Sequence, residues 1–459
     1  MRRLTYAVLI TALALFPARA DPIRWSEPRL LAPDTVAFLR QYSQAIAARD
    51  TVLWTVWAEN RGNGQHVLWA SRFNNGSWLE PESVAGEPDY IESVKAAVDA
   101  ELNPWVAWDD CKWSRRQGGS WSPPEHIAKD SSIWGAVSDL TASAEHGVWA
   151  LWSGVDPDAE SVFIYTSRYY AGSWTEPCLV AKFDWYLLMY GEGLTAPPGG
   201  PVRSVWTGWL ETGFGIYSST WGGDSWVNRE MIPESWLGGP LAVCSDSVGG
   251  TWVTWLQGWM GDSLYVLCAR HDRTAWTDTW RLTAGLAVHV YQGMLCCDDH
   301  GRIWALWGDR RYALPDTVDI CVRYFDGDTW SGRVVVTTCP RMEAAPQAAA
   351  ALGKVWVVWT ARESQDRWLL YYSHTLPSGV AEERSPKPAA VSPLRVFPSP
   401  ARYWVWLEGA DKAALFTPDG RRAASLTRGR NDIRSLPRGV YLVRAADADS
   451  PVSKVVLSR

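Results

Sequence analysis

Apolar and polar residues alternate along this chain in short runs of about eight, and seven of the runs carry two tryptophans three residues apart. They read TVLWTVWAE, NPWVAWDD, EHGVWALWS, PVRSVWTGWL, GGTWVTWLQ, HGRIWALWGD and LGKVWVVWTA. Residues three apart share a face of a helix but point to opposite faces of a strand. The runs are rich in Val, Leu and Thr and are introduced by Gly, Asn or Asp turns, which makes each a strand. A run of small residues precedes each pair, as in QAIAAR, VKAAVDA and LTASAE. A second β-like run follows, such as HVLWASRF or VFIYTSRYY, then a tight turn and one more tryptophan, as in NNGSW, AGSWTEP and DGDTW.

Four strands repeated at such intervals predict a β-propeller, here of seven blades. The small-residue strand suits the centre, where blades converge, and the paired tryptophans on the second strand then face the two neighbouring blades. Turn-linked tryptophans occur at Trp78, Trp121, Trp174, Trp226, Trp276 and Trp330, one fewer than the pairs. The missing copy is Trp25-Ser26-Glu27-Pro28, which repeats the WLEP, WSPP and WTEP of later turns. The N-terminal strand is therefore expected to complete the last blade, near residues 343–376, and to close the ring. Blade positions claim 21 of the 32 tryptophans, counting 14 in pairs and 7 linked to turns.

The first 20 residues, MRRLTYAVLITALALFPARA, combine Arg2 and Arg3, an apolar stretch and small residues at 18 and 20. That is the pattern of a cleaved signal peptide, and the stretch falls short of the roughly 20 apolar residues that span a bilayer. A mature chain without a transmembrane anchor is expected from residue 21. The eight cysteines show no disulfide framework and no zinc spacing, so most read as small buried hydrophobes. Asp156–Glu160 lacks the glycine and terminal glutamate of a calcium loop, and the seven histidines are scattered. No metal and no cofactor is expected. Residues 21–377 are strongly acidic, which argues against nucleic acid as a partner.

The succession of inner strand, W-x-x-W strand and Ser71-Arg72-Phe73-Asn74-Asn75-Gly76-Ser77-Trp78 resembles the sialidase-like propellers with bacterial neuraminidase repeats. Their Asp-box, S-x-D-x-G-x-x-W, is degenerate here, and the Arg-Ile-Pro motif that opens a sialidase catalytic domain is missing. The resemblance implies architecture alone and assigns no catalytic residue.

Residues 378–394, rich in Pro, Ser and Ala, read as a linker. The last 65 residues, 395–459, then change character and carry 12 basic against 6 acidic side chains. VFPSPA, LFTPDGRRAASL, LPRGVYLVR and KVVLS occur in that order, and they resemble the C-terminal sorting domain of the type IX (Por) secretion system. The residues that carry the likeness are Pro398, Pro400, Asp419, Gly420, Arg421, Leu436, Gly439, Tyr441 and Lys454. The resemblance implies a small C-terminal β-sandwich, recognition by that secretion machinery, and a product secreted from, or held on the outer-membrane surface of, a diderm bacterium.

Connections from fourth to first strand and from second to third strand share one end of a propeller, and here they are the longer ones. Aromatic residues outside the repeat positions gather on them: Tyr90, Trp134, Trp185, Tyr186, Tyr190, Trp236, Trp259 and Tyr291. Exposed indole and phenol faces on long loops suit a glycan or other surface ligand. Asp89, Glu92, Asp109, Asp110, Asp184, Glu192 and Glu234 lie there as well. A glycosidase needs two carboxylates about 5–9.5 Å apart, and the sequence alone selects no pair. The leading expectation is an exported all-β propeller that binds a neutral saccharide or surface ligand. A carbohydrate-active hydrolase or lyase and a structural cell-surface protein are the alternatives.

Overall fold

The computed structural model describes residues 23–31 and 44–376, apart from 61–65, 88–90, 92, 130–134, 157–160, 185–190, 211–212, 236–237, 259–263, 278, 284–289, 311–317, 338–341 and 365–366. In the C-terminal part it describes 395–397, 404–417, 421–445 and 453–457. The chain divides into two compact units, Met1–Ser378 and Gly379–Arg459. Every regular element among the described residues is a strand.

The first unit contains seven antiparallel sheets. Sheet 1 runs Gln44–Arg49, Val52–Asn60, His66–Asn74 and Ser77–Trp78. Sheet 2 runs Val94–Val98, Pro104–Trp108, Lys112–Gln117 and Ser120–Trp121. Sheet 3 follows with Ala136–Ser143, Gly147–Asp156, Ser161–Tyr170 and Ser173–Trp174. Sheet 4 has Glu192–Thr195, Arg203–Leu210, Gly213–Trp221 and Trp226–Met231. Sheet 5 has Gly238–Ser245, Thr251–Gln257, Tyr265–His271 and Trp280–Arg281. Sheet 6 has Val290–Cys297, Ile303–Arg310, Val318–Phe325 and Val334–Val335. Sheet 7 joins Glu343–Ala351, Lys354–Ser364 and Arg367–Leu376 to the N-terminal Arg24–Trp25. Each first strand packs on the first strand of the next sheet, and that of sheet 7 on that of sheet 1, so the seven form a closed ring.

In sheet 7, Trp25 lies opposite Thr375 and Arg24 opposite Leu376. Ser26 N–H donates to the His374 carbonyl at 2.8 Å, and the Ser26 and Ser373 hydroxyls meet at 3.2 Å. The outer edge of this sheet is thus covered by the other end of the unit, which leaves one fewer row of unpaired backbone groups.

Thirteen of the 14 paired tryptophans are buried. In a typical sheet the first faces the following sheet and the second faces the preceding one; Trp54 shares a cluster with Trp108 of sheet 2, and Trp57 one with Trp356 of sheet 7. The first tryptophan also meets the turn-linked tryptophan of the next sheet edge-on. Centroid separations are 5.9 Å for Trp54–Trp121, 6.1 Å for Trp105–Trp174, 6.3 Å for Trp149–Trp226 and 6.1 Å for Trp252–Trp330. Trp304–Trp25 at 6.0 Å and Trp356–Trp78 at 6.2 Å carry the series across the closure. Such pairs contribute about 0.5–1.5 kcal/mol each beyond the burial of their apolar area.

Sheet 4 departs from the pattern expected of the sequence. Trp209 is 54% exposed, and Trp206 takes the second position, opposite Glu192 as Trp57 is opposite Gln44. The first position falls three residues earlier, on buried Arg203, whose guanidinium lies 6.0 Å from the ring of Trp276 in sheet 5. The pair in PVRSVWTGWL is therefore three residues out of phase with the other six. A cation–π contact stands where the other interfaces have an edge-on indole pair.

The hairpin joining first and second strands has a recurring bond set in three sheets. Asp99, Asp246 and Asp298, all buried, directly follow the first strand, six residues before the first tryptophan. Asp298 Oδ1 accepts the His300 and Arg302 N–H at 2.9 and 3.0 Å, and Oδ2 accepts the Trp304 indole N–H at 2.8 Å. Asp246 repeats this with Val248, Gly250 and Trp252, and Asp99 with Glu101, Asn103 and Trp105. One carboxylate thereby satisfies a tight turn and a buried indole together.

The second unit is a five-stranded antiparallel sheet of Arg395–Phe397, Trp404–Phe416, Arg422–Asp432, Gly439–Ala445 and Ser453–Leu457. The long strand pairs with Arg395–Phe397 over its first half and with Gly439–Ala445 over its second, which lets one strand serve two neighbours on the same edge. Val405, Leu415, Leu426, Tyr441, Val443 and Leu457 form its core. Tyr441 is buried and its hydroxyl donates to the Pro437 carbonyl at 2.9 Å; Leu436 packs on the same core. The Arg421 carbonyl accepts the Thr417 N–H, Gly439 lies opposite Leu457, and Lys454 lies opposite Leu442. Pro398, Pro400, Asp419 and Gly420 lie outside the described residues.

Asp298→Ala should lower the unfolding free energy of the ring by about 2–4 kcal/mol, because it orphans a buried indole and two turn amides at once. Asp328→Ala, at an exposed turn, should change it by less than about 0.5 kcal/mol. Denaturant unfolding of both variants checks the contrast.

Candidate functional site

Tyr90, Trp134, Trp185, Tyr186, Tyr190, Trp236 and Trp259 lie outside the described residues; Tyr291 lies on the strand Val290–Cys297, with its side chain outside them. The strands that these connections enter are described. Residues 185–190 lead directly into Glu192, the first residue of sheet 4, and residues 130–134 lead into Ala136–Ser143 of sheet 3. Tyr90 comes just before Ser93 and Lys95 at the start of sheet 2. In sequence, three of these connections run into the starting ends of the first strands of sheets 2, 3 and 4, which carry polar groups where small apolar residues would be expected.

At those ends a polar cluster spans sheets 2, 3 and 4. Ser138 is the extra residue of a β-bulge between Val137 and Asp139, and its hydroxyl donates to Glu192 Oε2 at 2.5 Å. A bulge turns one side chain out of the strand's alternation, and such features recur beside functional sites. Asp139 accepts the Leu194 N–H of sheet 4 at 2.7 Å on Oδ2 and its neighbour Leu140 N–H at 2.8 Å on Oδ1. Ser93 spans to sheet 3 by donating to the Val137 carbonyl at 2.7 Å, while Asp109 accepts the Ser93 N–H at 3.1 Å. The strands converge tightly: a Cβ on Gly193 would lie 2.5 Å from the Val243 side chain of sheet 5, so no larger residue fits without displacement.

Burial pushes the Glu192 carboxyl up from 4.5 to about 6, against the pull of bonds from Ser138 and Ser153 and of the Lys95 charge. Burial likewise raises Asp139, opposed by the Leu194 N–H, the charge of Lys95 and the Leu140 N–H. One lysine thus acts on two carboxyls carried by adjacent sheets. With its carboxyl titrating near 6, Glu192 can accept or donate a proton beside the Ser138 hydroxyl and the Lys95 charge.

Of these residues, Glu192 was among the acidic residues singled out from the sequence, whereas Lys95, Ser138 and Asp139 were not. Their signal is a polar residue inside a small-residue inner strand, as in ESVKAAV and VSDLTAS. Asp109 and Asp110 sit at the end of a second strand, and both Asp110 and Cys111 take the left-handed backbone region, with φ of 59° and 55°. Glu234 lies in a turn beyond sheet 4; Asp89 and Glu92 lie outside the described residues, as does the side chain of Asp184. Among the described residues no group of His, Cys, Asp or Glu is arranged to hold a metal ion, and seven cysteines are free.

No known protein family matches the chain by sequence, and no curated protein matches it. Solved structures do. One described as a polysaccharide lyase of a new family, PL25 ulvan lyase bound to -[GlcA(1-4)Rha3S]-, aligns over 74% of this chain and 94% of its own, with TM-score 0.51 and 10% identity. The fold is a β-propeller. Polysaccharide lyase Uly1 aligns over 74% of this chain and 90% of its own at TM-score 0.49 and 8% identity. A subtype N11 neuraminidase-like protein of A/flat-faced bat/Peru/033/2010 (H18N11) aligns over 78% and 94% at TM-score 0.37 and 8% identity. At such identities the likeness concerns the fold, and the chemistry must be read from the residues of this propeller.

Between its unfolded value and about 6, the folded propeller retains a proton on Glu192 that the unfolded chain has lost. The contribution of this group is therefore full below about 4.5 and is lost as pH rises through 6. Glu192→Gln should be nearly neutral in stability at pH 4.5 and stabilising by about 2 kcal/mol at pH 8. Denaturation midpoints of both proteins across that range test it; a difference independent of pH would contradict the burial of this carboxyl.

Proposed function

We propose that the seven sheets are the blades of one seven-bladed propeller, closed by its N-terminal strand, whose long-connection end binds a neutral saccharide without cleaving it. In this reading residues 1–20 are removed on export, 21–377 form the propeller, 378–394 are a linker and 395–459 fold as a small sorting β-sandwich. That last segment is the address read by a type IX secretion machinery, and the destination is the outside or the outer surface of a diderm bacterium.

The observation that carries the binding assignment is the continuity between aromatic connections and the polar inner strands. Trp185, Tyr186 and Tyr190 are followed within seven residues by Glu192, and Trp134 within five by Ser138 and Asp139. Aromatic faces for the C–H side of a sugar ring beside carboxylates and hydroxyls for its hydroxyl rim are what a saccharide site requires. The acidic propeller disfavours sulfated or uronic chains, which points to a neutral ligand.

One observation favours catalysis as a second reading. Asp139 and Glu192 are two carboxyls with raised proton affinity on neighbouring inner strands, the setting of a proton donor in glycoside cleavage. Binding is preferred because each is already engaged by hydrogen bonds from its own scaffold.

A glycan array with the purified propeller should detect a neutral saccharide, and Trp185→Ala and Trp236→Ala should each weaken it by about 1–2 kcal/mol. Unchanged affinity in both variants would sink the stacking assignment, and release of reducing ends by the wild type would replace binding with catalysis. Deleting residues 395–459 should leave the propeller folded and hold it inside the outer membrane. Its normal appearance outside the cell would remove the sorting role.

A further inference from the structure

The inner strands face one another at a fixed repeat position, and at one interface both residues there are cysteine. In each sheet the first-strand residue paired with the first tryptophan position turns toward the following sheet, and the residue after it toward the preceding one. Ala47 of sheet 1 thus shares a cluster with Val98 of sheet 2, Ala97 of sheet 2 with Ala142 of sheet 3, and Cys296 of sheet 6 with Ala350 of sheet 7. Between sheets 5 and 6 the position holds Cys244, paired with Trp252, and Cys297, which follows Cys296; both pack on one cluster. Alanine, threonine or serine fills it at the remaining interfaces.

Facing inner strands approach closely enough for a covalent bond between their side chains. Gly193 and Val243 stand in the same relation between sheets 4 and 5, one step of the pleat earlier along each strand. A Cβ built on Gly193 lies 3.0 Å from the Val243 Cβ, and a disulfide needs Cβ atoms about 3.5–4.5 Å apart. Sheets 5 and 6 also touch just beyond the two cysteines. A Cβ on Gly301 would lie 3.1 Å from Ser247 Oγ, and the Ser247 backbone hydrogen-bonds the Cys297 sulfur. Both cysteines are free thiols in this structure, and burial raises the proton affinity of each.

We propose that Cys244 and Cys297 form a disulfide that ties sheet 5 to sheet 6 when the folded chain meets a disulfide oxidant. The thiolate of one cysteine attacks the oxidant's S–S bond and releases one thiol. The second cysteine then attacks the mixed disulfide, which makes the protein S–S bond and releases the other thiol. Two protons and two electrons pass from the pair to the oxidant. Cys296 cannot substitute, because it turns to the opposite face of its strand and packs with Ala350. Nor can Cys268, which lies on the third strand of sheet 5, two strand spacings or about 9.5 Å from the first and beyond disulfide reach. The bond is at the finishing ends of the inner strands, away from Ser138 and Glu192, and the assignment does not rest on saccharide binding. Export would bring the chain to an oxidant, but the chemistry is testable without it.

The purified full chain, fully reduced and then treated with oxidised glutathione, is unfolded, alkylated and weighed by mass spectrometry. Two of the eight thiols should be lost to one intramolecular bond with no glutathione retained, and proteolysis should yield peptides joined through residues 244 and 297. Oxidation should raise the thermal midpoint by about 5 °C, and dithiothreitol should reverse the rise. Cys244→Ala and Cys297→Ala install the residue that other sheets carry at these positions, so both should fold, and each should lose the cross-link and the shift together. Cys268→Ala and Cys296→Ala should keep both. Eight alkylated thiols in the treated wild type, glutathione retained on a single cysteine, a bond through Cys268 or Cys296, or a cross-link that survives in Cys244→Ala would overturn the proposal.

Discussion

The contact on which the ring depends is the edge-on meeting of one sheet's first tryptophan with the turn-linked tryptophan of the next. It recurs at six of the seven interfaces with centroids 5.9–6.3 Å apart, and Arg203 over Trp276 at 6.0 Å fills the seventh. A ring closes only if every interface has nearly the same spacing, since angular errors would accumulate around it. Repeating one rigid pair of indoles fixes that spacing without long-range instruction. The Asp99, Asp246 and Asp298 carboxylates anchor the inner members of three such pairs and fix the hairpins that present them.

Substituting Arg203 at the seventh interface changes more than packing. A buried guanidinium needs a counter-charge, and Glu230 supplies it, joined by His271, whose proton affinity is lowered by burial and by the Arg203 charge. His271 Nδ1 accepts the Arg273 N–H, which leaves its other nitrogen to donate to Glu230.

The centre of the ring follows a different rule. Inner strands converge so closely that alanine at position 193 would strike Val243, which explains the run of small residues read there. The exceptions to that run, Lys95, Ser138, Asp139 and Glu192, collect at the end where the long connections arrive. Their partial burial raises the two carboxyls and gives this end a proton-binding group close to neutral pH.

By itself the sequence determined the strand identity of the Trp-x-x-Trp runs, the sevenfold repeat and the kinship of Trp25 with the turn-linked tryptophans. These are local signals, set by alternation, turn residues and copies of a motif, and they need no knowledge of neighbours in space. It misassigned Trp209, because spacing of three matches in either phase and only the pairing of Trp206 with Glu192 decides which residue turns inward. Nor did it reveal that Asp139 and Glu192 share Lys95, since those residues are far apart in the chain and are brought near one another by the ring.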